Sequence, residues 1–263
     1  MTAANEPILL YQDRGQGIIH LTMNRPKAFN SLSSELMSEM QSALDGAHED
    51  PSIRLIIIDG SGPGFSSGHD LREVTSFQTV KERQDLMEQC SKLMLSVVHC
   101  SKPVIAKVHG VAAAAGCQLV ASCDLALSTN DAIFATPGVN IGLFCSTPMV
   151  AVSRNVSRKK TMKMLLTGEP ISAHRAKEIG LINDHFENSQ LEEEVIKLAE
   201  TIASKSSKVI KIGKKAFYNQ LEMPLDKAYK YTSKIMSENM MALDAEEGIS
   251  AFLEKRTPNW KNK

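Results

Sequence analysis

Two segments rich in glycine and other small residues carry the first recognisable chemistry in this sequence. The first runs over residues 60–70 (GSGPGFSSGHD), and the second over residues 110–117 (GVAAAAGC). Each follows an apolar run that predicts a strand and precedes a predicted helix, whose first backbone N–H groups have no partner inside the helix. Two such N–H groups directed at one point form an oxyanion hole, which stabilises an enolate or a tetrahedral oxyanion.

The alternative interpretation is that each glycine only permits a tight turn into a helix. Neither segment matches the GxGxxG or GxxxxGK pattern of phosphate-binding loops, so a nucleotide-binding fold is disfavoured. The repetition of one strand–turn–helix pattern favours a shared site. The sequence by itself leaves open whether the two turns converge.

The elements around these turns predict an α/β fold. Strands are predicted over 8–12, 18–23, 55–58, 104–108 and 125–128, and helices after Ser33 and over 80–99 and 116–123. This alternation is typical of a mostly parallel sheet covered by helices. From about Ser146 onward helices dominate, over 157–167, 172–179, 191–205, 207–220, 225–243 and 246–255.

Short motifs in a fixed order resemble those of the enoyl-CoA hydratase/isomerase (crotonase) superfamily. They include LTMNRPKAFNSL (21–32), FSSGHDL (65–71), KPVIAKVHGVA (102–112), GCQL (116–119), FATP (134–137), LTG (166–168), ISA (171–173) and EGISAFLEKR (247–256). The resemblance extends from about residue 8 to 260. It implies an α/β crotonase (ClpP-like) spiral of ββα units in residues 1–200, and a helical C-terminal trimerisation region in residues 201–263.

The resemblance also assigns roles around the glycine-rich turns. The thioester oxygen of an acyl-CoA is expected at the backbone N–H groups of His69 and Ala115. The His69 imidazole is expected to have no catalytic role and to be a tolerated turn or pocket residue. Gln118 and Gly138 occupy the positions of the two glutamates that hydratases use, and neither can accept a proton. We therefore expect weak hydratase chemistry, which glutamates at both positions should raise.

Further positions are expected, by the same resemblance, to bind the acyl-CoA. They are Lys27, Ala28, Ser67, Gly68, Asp70, Leu71, Asn140, Phe144, Cys145, Ser146, Phe252 and Lys255. Phe252 and Lys255 are expected to reach the nucleotide of a neighbouring subunit, or alternatively to be interface core and a solvated helix end. Cys145 and Ser146 are possible nucleophiles, or alternatively a buried cysteine and a helix cap.

Composition limits the classes of function. The chain has 263 residues, 43% of them hydrophobic, and its 30 Lys and Arg balance 30 Asp and Glu. This balance argues against general nucleic-acid binding, and the hydrophobic fraction argues against disorder. The five cysteines lack the spacing of a zinc site or a disulfide framework, so we expect no metal and a reducing compartment.

Neither end of the sequence shows a targeting signal, and no apolar run is long enough to cross a bilayer. We expect a cytoplasmic protein, or one of the mitochondrial matrix if a transit peptide has been removed. No cofactor is expected beyond the coenzyme A that the substrate carries. Two hypotheses follow: an enzyme that acts on an acyl-CoA through an enolate, or a non-catalytic acyl-CoA-binding or regulatory trimer.

Overall fold

The structure is a computed structural model that describes residues 6–262. The remaining residues, 1–5 and 263, include most of the N-terminal stretch and the chain end discussed above. The expectations about targeting signals, and the outer limits of the two predicted regions, therefore lie partly outside the described residues.

Two sheets form the centre of the molecule. The strands are β1 (Leu9–Asp13), β2 (Ile18–Met23), β3 (Leu55–Gly60), β4 (Val104–Val108), β5 (Val111–Ala113), β6 (Leu125–Thr129), β7 (Ile133–Ala135), β8 (Ile171–Ser172) and β9 (Asp184–Phe186). The larger sheet has the order β1-β2-β3-β4-β6-β9, and the smaller has the order β5-β7-β8. In the larger sheet β1 pairs antiparallel with β2, and the other neighbours are parallel.

Eleven helices surround the sheets within residues 6–262. They are α1 (Ser34–Glu49), α2 (Leu71–Ser76), α3 (Val80–His99), α4 (Ala115–Ser122), α5 (Pro148–Asn155), α6 (Arg158–Thr167), α7 (Ala173–Glu178), α8 (Asn188–Ala203), α9 (Ser207–Leu221), α10 (Leu225–Asn239) and α11 (Leu243–Leu253). The predicted Ser33 cap is confirmed, because its hydroxyl accepts the Leu36 N–H at 3.2 Å. Such a cap contributes about 1 kcal/mol.

Strand β3 is buried on both faces, as its apolar run predicts. Ile56 and Ile58 lie in the hydrophobic cluster that contains α1 and α3, whereas Leu55 and Ile57 lie in a second cluster with Leu191 and Val195 of α8. Helix α8 thus covers one face of the larger sheet and α1 and α3 cover the other. This layering confirms the α/β prediction and leaves the carboxyl ends of the parallel strands free to form a site.

The short elements are where the sequence-based prediction was wrong or incomplete. The three-residue strands β5, β7 and β9, the two-residue strand β8, and helices α2 and α5 were not predicted. The predicted helix over 225–243 ends at Asn239, and a new helix begins at Leu243. Helix α8 starts three residues earlier than predicted, at Asn188.

Candidate active site

The two glycine-rich turns lie side by side, joined by backbone hydrogen bonds. Phe65 N–H donates to His109 O at 2.9 Å, Ser66 N–H donates to Val111 O at 3.0 Å, and Ala113 N–H donates to Ser66 O at 2.9 Å. A Cβ atom added to Gly116 would lie 2.3 Å from Ser66 O, so only glycine permits this approach. The structure therefore brings together the two segments, whose convergence the sequence by itself left open.

The first turn leaves the His69 N–H without an acceptor. Gly68 has a φ of +99°, a conformation that favours glycine. Its carbonyl accepts the Leu32 N–H at 2.7 Å, and Asp70 N–H donates to Leu32 O at 3.2 Å. The hydrogen bonds with Leu32 thus use the Gly68 carbonyl and the Asp70 N–H. The His69 N–H between them donates to no atom of residues 6–262.

The second turn leaves the Ala115 N–H free because α4 begins there. Ala114 precedes the helix with φ +48° and ψ −115°, a strained conformation for a residue that carries a Cβ. It is held in place because its N–H donates to Ala135 O at 2.9 Å and its carbonyl accepts the Gln118 N–H at 3.0 Å. The Ala115 N–H has no acceptor among the described residues.

The segments that carry these two free donors are close together. A Cβ atom added to Gly68, the residue just before His69, would lie 3.3 Å from Ala115 N and 2.9 Å from the Ala114 Cβ. The donors therefore belong to segments in van der Waals contact. A pair of pre-oriented N–H groups in this arrangement can stabilise negative charge on one oxygen atom.

A third loop, residues 26–30, is hydrogen-bonded to the first turn and places Lys27 and Ala28 near it. Residues Pro26–Ala28 form a single 3-10 turn. Asn30 holds this loop in place, because its side-chain N–H groups donate to Ser61 O and Gly64 O, both at 2.8 Å, and its carbonyl accepts the Ser66 hydroxyl at 2.9 Å. Ser67 N–H also donates to Phe29 O at 3.0 Å. Lys27 and Ser67 are exposed, and Ala28 is half-buried.

The Asp70 carboxylate has structural partners. It accepts the Arg25 guanidinium at 2.7 Å and caps α2 by accepting the Arg72 N–H at 3.1 Å. The hydrogen bond from Arg25 holds the pKa of this carboxyl below its usual range. Leu71 begins α2 and is 51% exposed, so it is free to contact a ligand.

Gln118 lies on α4, one turn after the free Ala115 N–H. Its side chain is buried, and its Oε1 atom has no hydrogen-bond partner in the described chain. The Thr136 hydroxyl, next to the Ala135 carbonyl that holds Ala114, is also buried and unpartnered. Thr136 was missed by the sequence analysis, since a lone threonine before proline gives no signal without the β7 pairing.

Gly138 lies in a tight turn that has no room for a side chain. An added Cβ would lie 2.8 Å from Leu143 O and 3.0 Å from Cys145 Sγ. The Gly138 carbonyl accepts the Leu143 N–H at 2.9 Å, and its N–H approaches Cys145 Sγ at 3.4 Å. This packing argues against a simple replacement of Gly138 by glutamate, because residues 138–145 would have to move.

The neighbouring positions differ in their accessibility. Cys145 is buried and burial raises the pKa of its thiol, although the nearby Gly138 N–H acts in the opposite direction. Ser146 is exposed, and its hydroxyl contacts only the Phe144 carbonyl, at 3.4 Å. The structure therefore places no activating base on either candidate nucleophile. Asn140 and Phe144 are exposed, and Asn140 packs beside Gly168.

Phe252 and Lys255 lie at the end of α11, and no hydrogen bond or ion pair among residues 6–262 links them to the turns around His69 and Ala115. Phe252 is 82% exposed. In the same described range, no group of three or more His, Cys, Asp or Glu side chains is arranged to hold a metal ion. No helix in that range is long and apolar enough to cross a membrane.

Taken together, the fold and the turns define an α/β protein whose candidate site is built from backbone N–H groups beside buried uncharged side chains. A sequence profile of the enoyl-CoA hydratase/isomerase family matches residues 13–263, and the chain belongs to this family. This membership confirms the resemblance on which the site assignments depend.

Individual relatives extend this result over nearly the whole chain. The human mitochondrial enoyl-CoA hydratase domain-containing protein 3 is 46% identical over 94% of this chain and 81% of its own length. A crystal structure of human enoyl coenzyme A hydratase domain-containing protein 3 superposes with a TM-score of 0.94 and 44% identity, covering 97% of this chain and 100% of that one. A crystal structure of an enoyl-CoA hydratase from Mycobacterium smegmatis superposes with a TM-score of 0.96 and 45% identity, covering 97% of this chain and 99% of that one.

Proposed function

We propose that this protein binds an acyl-CoA and stabilises an enolate of its thioester. The thioester oxygen accepts the N–H groups of His69 and Ala115, and the acyl chain lies towards Gln118 and residues 138–146. The observation that carries the proposal is the contact between the two turns at Gly68 and Ala114, each of which leaves one backbone donor free. Donors fixed in this way need no reorganisation when charge develops on the oxygen.

True hydratase activity is expected to be weak. Addition of water to an enoyl thioester needs groups that give and take protons, and each is worth about 10²- to 10⁴-fold in rate. The Gln118 amide cannot transfer a proton, and residue 138 has neither a side chain nor space for one. The site is better suited to enolate chemistry that does not add water.

Binding of coenzyme A is expected to involve Lys27 near the first turn, and Phe252 and Lys255 of a neighbouring subunit. The C-terminal helices support an oligomer because their apolar side chains are widely exposed. Leu225 and Tyr229 of α10 are 74% and 68% exposed, Phe252 of α11 is 82% exposed, and Met241, between these two helices, is 85% exposed. Large apolar side chains exposed together in this way support an interaction face. We propose a homotrimer, alone or paired as a hexamer.

The compartment proposed is one that keeps thiols reduced, since all five cysteines are free. Relatives carry mitochondrial names, including the human protein described above. Both the cytoplasm and the mitochondrial matrix satisfy the cysteine argument, and the relatives favour the matrix. Fractionation of cells that express the full-length protein distinguishes the two.

The test combines a binding titration with a turnover assay. Purified protein is titrated with butyryl-CoA by calorimetry, and crotonyl-CoA is added in parallel while the absorbance of the enoyl thioester is followed. We expect binding of butyryl-CoA with slow loss of crotonyl-CoA. Rapid hydration would show that the absent carboxylates are not needed, and failure to bind either thioester would overturn the acyl-CoA site.

The alternative is a non-catalytic acyl-CoA-binding or regulatory trimer. The specific observation in its favour is the closure of residues 138–145 over the position at which a catalytic side chain would start. Binding without any chemical change at the acyl chain, including exchange of its α-hydrogens with solvent, would favour this second function.

A further inference from the structure

A proton acceptor is needed if this site forms an enolate, and most titratable groups near the two turns are already engaged. Asp70 is paired with Arg25. A carboxylate oxygen of Glu73 accepts the Ser34 N–H at 2.9 Å. Burial raises the pKa of the Cys117 thiol to about 12 and also raises that of Cys145. Each of these four groups is thus either a carboxylate that already has a partner or a buried thiol with a raised pKa.

The His69 imidazole differs from all of them. It forms no hydrogen bond with a residue in the range 6–262, and its Nε2 atom is shielded from solvent without a partner. The residue is only half-buried, and Nδ1 is not among the shielded atoms, so one edge of the ring is accessible. Unpartnered buried nitrogen atoms are uncommon in folded proteins and call for an explanation.

The electrostatic surroundings favour the neutral ring. Burial lowers the pKa of His69 because it disfavours the charged form, and the negative charge of Glu73 on α2 acts in the opposite direction with a smaller effect. Asp70, the adjacent acidic residue, is neutralised by Arg25. A neutral imidazole has one nitrogen with a free lone pair, which is what a general base requires.

Position connects the ring to the reaction. The imidazole belongs to the same residue whose backbone N–H is proposed to bind the thioester oxygen, and the α-carbon of the acyl group is two bonds from that oxygen. The unpartnered Gln118 Oε1 and Thr136 Oγ1 atoms, on α4 and beside β7, show that three segments around the turns present polar atoms without protein partners. A bound polar ligand would satisfy such atoms.

We infer that the His69 imidazole is the general base that removes the α-proton of the bound acyl-CoA. The C–H bond of the α-carbon breaks, its electron pair forms the carbon–carbon double bond of the enolate, and the negative charge on oxygen is held by the two N–H groups. The proton moves to the ring nitrogen and returns in the reverse step. No oxidant, reductant or additional reactant is required.

This inference rests on the proposed function and reverses the expectation that the ring has no catalytic role. Its experiment is α-hydrogen exchange of butyryl-CoA in D₂O, followed by proton NMR with the full-length protein. His69→Gln and His69→Asn keep the backbone N–H and remove the base. We expect exchange to fall on the order of 10²-fold or more in both variants, while calorimetric affinity for butyryl-CoA is unchanged.

His174→Gln is the matched control, because the His174 side chain is 73% exposed on α7, outside the two turns. Its exchange rate should equal that of the unchanged protein.

The pH profile supplies a second readout. In the unchanged protein the exchange rate should rise with pH to a plateau, and the midpoint of the rise should lie below pH 6.5, since the pKa of His69 is lowered from that value. The inflection should be lost in His69→Gln.

The possible outcomes distinguish failure of the proposed function from failure of the imidazole's role alone. If the unchanged protein does not bind butyryl-CoA, the proposed function itself fails. If it binds but shows no exchange, the proposed enolate chemistry fails together with the role of the imidazole, and the non-catalytic alternative is favoured. If exchange occurs and both folded His69 variants exchange at the original rate, only the role of the imidazole fails. Circular dichroism and thermal unfolding establish that the variants are folded before rates are compared.

Discussion

At the scale of single residues, small side chains in this site are required by contact. Ser66 O lies only 2.3 Å from where a Cβ of residue 116 would be, and Gly68 combines close contact with Ala114 and a φ of +99°. Two backbone segments can approach closely enough to align two N–H donors only because these positions lack side chains. The site therefore depends on the absence of side chains at residues 68 and 116 as much as on the groups that are present.

Gly68→Ala tests this requirement. The new methyl group would lie 2.9 Å from the Ala114 Cβ in a backbone conformation that L-residues rarely adopt. We expect the free energy of unfolding to fall by about 1–3 kcal/mol, measured by urea denaturation, and affinity for butyryl-CoA to weaken.

Gly213→Ala is the control, because no atom lies within 4 Å of the added Cβ on α9. It should raise stability by about 0.5–1 kcal/mol and leave butyryl-CoA binding unchanged. Equal effects of the two substitutions would show that Gly68 is not under steric constraint.

The two positions that lack glutamates should respond differently to substitution. Gln118→Glu is nearly isosteric and places a buried carboxyl group on α4, one turn after the Ala115 N–H, so we expect crotonyl-CoA hydration to rise on the order of 10²-fold. Gly138→Glu meets Leu143 O and Cys145 Sγ and should lower the melting temperature without raising hydration.

Gln190→Glu, at an exposed position of α8, should change neither the rate of crotonyl-CoA hydration nor the melting temperature. Faster hydration by a stable Gly138→Glu variant would show that residues 138–145 rearrange easily and that closure of this turn is not the obstacle.

At the scale of elements, α9 is anchored to the core by a buried ion pair. The three ammonium hydrogens of Lys214 have three acceptors: Asp124 Oδ2 at 2.6 Å, Lys102 O at 3.0 Å and Val97 O at 3.1 Å. The other oxygen of Asp124 accepts the Tyr218 hydroxyl at 2.9 Å. This cluster joins the C-terminal helices to the start of β4 and the end of α4.

Lys214→Ala should therefore be strongly destabilising. It leaves the Asp124 carboxylate partly buried without its cation, and removal of one partner of a buried pair costs about 3–5 kcal/mol. Because the Asp124 side chain is 17% exposed, we expect a loss of about 3 kcal/mol in urea denaturation.

Lys81→Ala breaks an exposed pair with Asp85 on α3 and should change stability by less than about 1 kcal/mol. If Lys214→Ala also lost less than about 1 kcal/mol, α9 would be held by its apolar contacts alone.

The elements also show what the sequence can predict. Long elements such as β2, β3, α3 and β4 were predicted within two residues, because each has several apolar residues at a clear period or in a continuous run. Strands β5 and β7 have three residues each, too few for a period, and exist because they pair with each other. The approach of Gly68 to Ala114 depends on that pairing, so convergence of the two turns could only be inferred from resemblance.

The candidate site was predictable to the same extent. Positions within recognisable motifs, such as His69, Ala115 and Gln118, lie around the two turns in the structure. Closure of the loop over Gly138 was not predictable, since it depends on contacts with Leu143 and Cys145 that have no periodic signal. The unpartnered ring of His69 also required coordinates, because burial and hydrogen bonding of a lone histidine cannot be read from sequence.

At the scale of the whole molecule, the last three helices leave many of their large apolar side chains exposed. Among their residues only Ala216, Ala228, Asp244 and Ala251 are buried. Most helical stability in proteins comes from packing of an apolar face, and within residues 6–262 these helices bury few of their residues. The proposed trimer would cover these faces and bring Phe252 and Lys255 to a neighbouring site.

Leu225→Lys combined with Tyr229→Lys tests the assembly. Both side chains lie on α10 and are 74% and 68% exposed, so two charges there should prevent burial against another subunit without disturbing the core. We expect sedimentation velocity to change from a species of three or six 28.8 kDa chains to a single chain. Affinity for butyryl-CoA should fall with it, because the nucleotide contacts from α11 of the neighbour are lost. Val80→Lys, 80% exposed at the start of α3, should leave mass and affinity unchanged. An unchanged mass in the double variant would place the subunit interface elsewhere, whereas a monomer that still binds fully would remove Phe252 and Lys255 from the site.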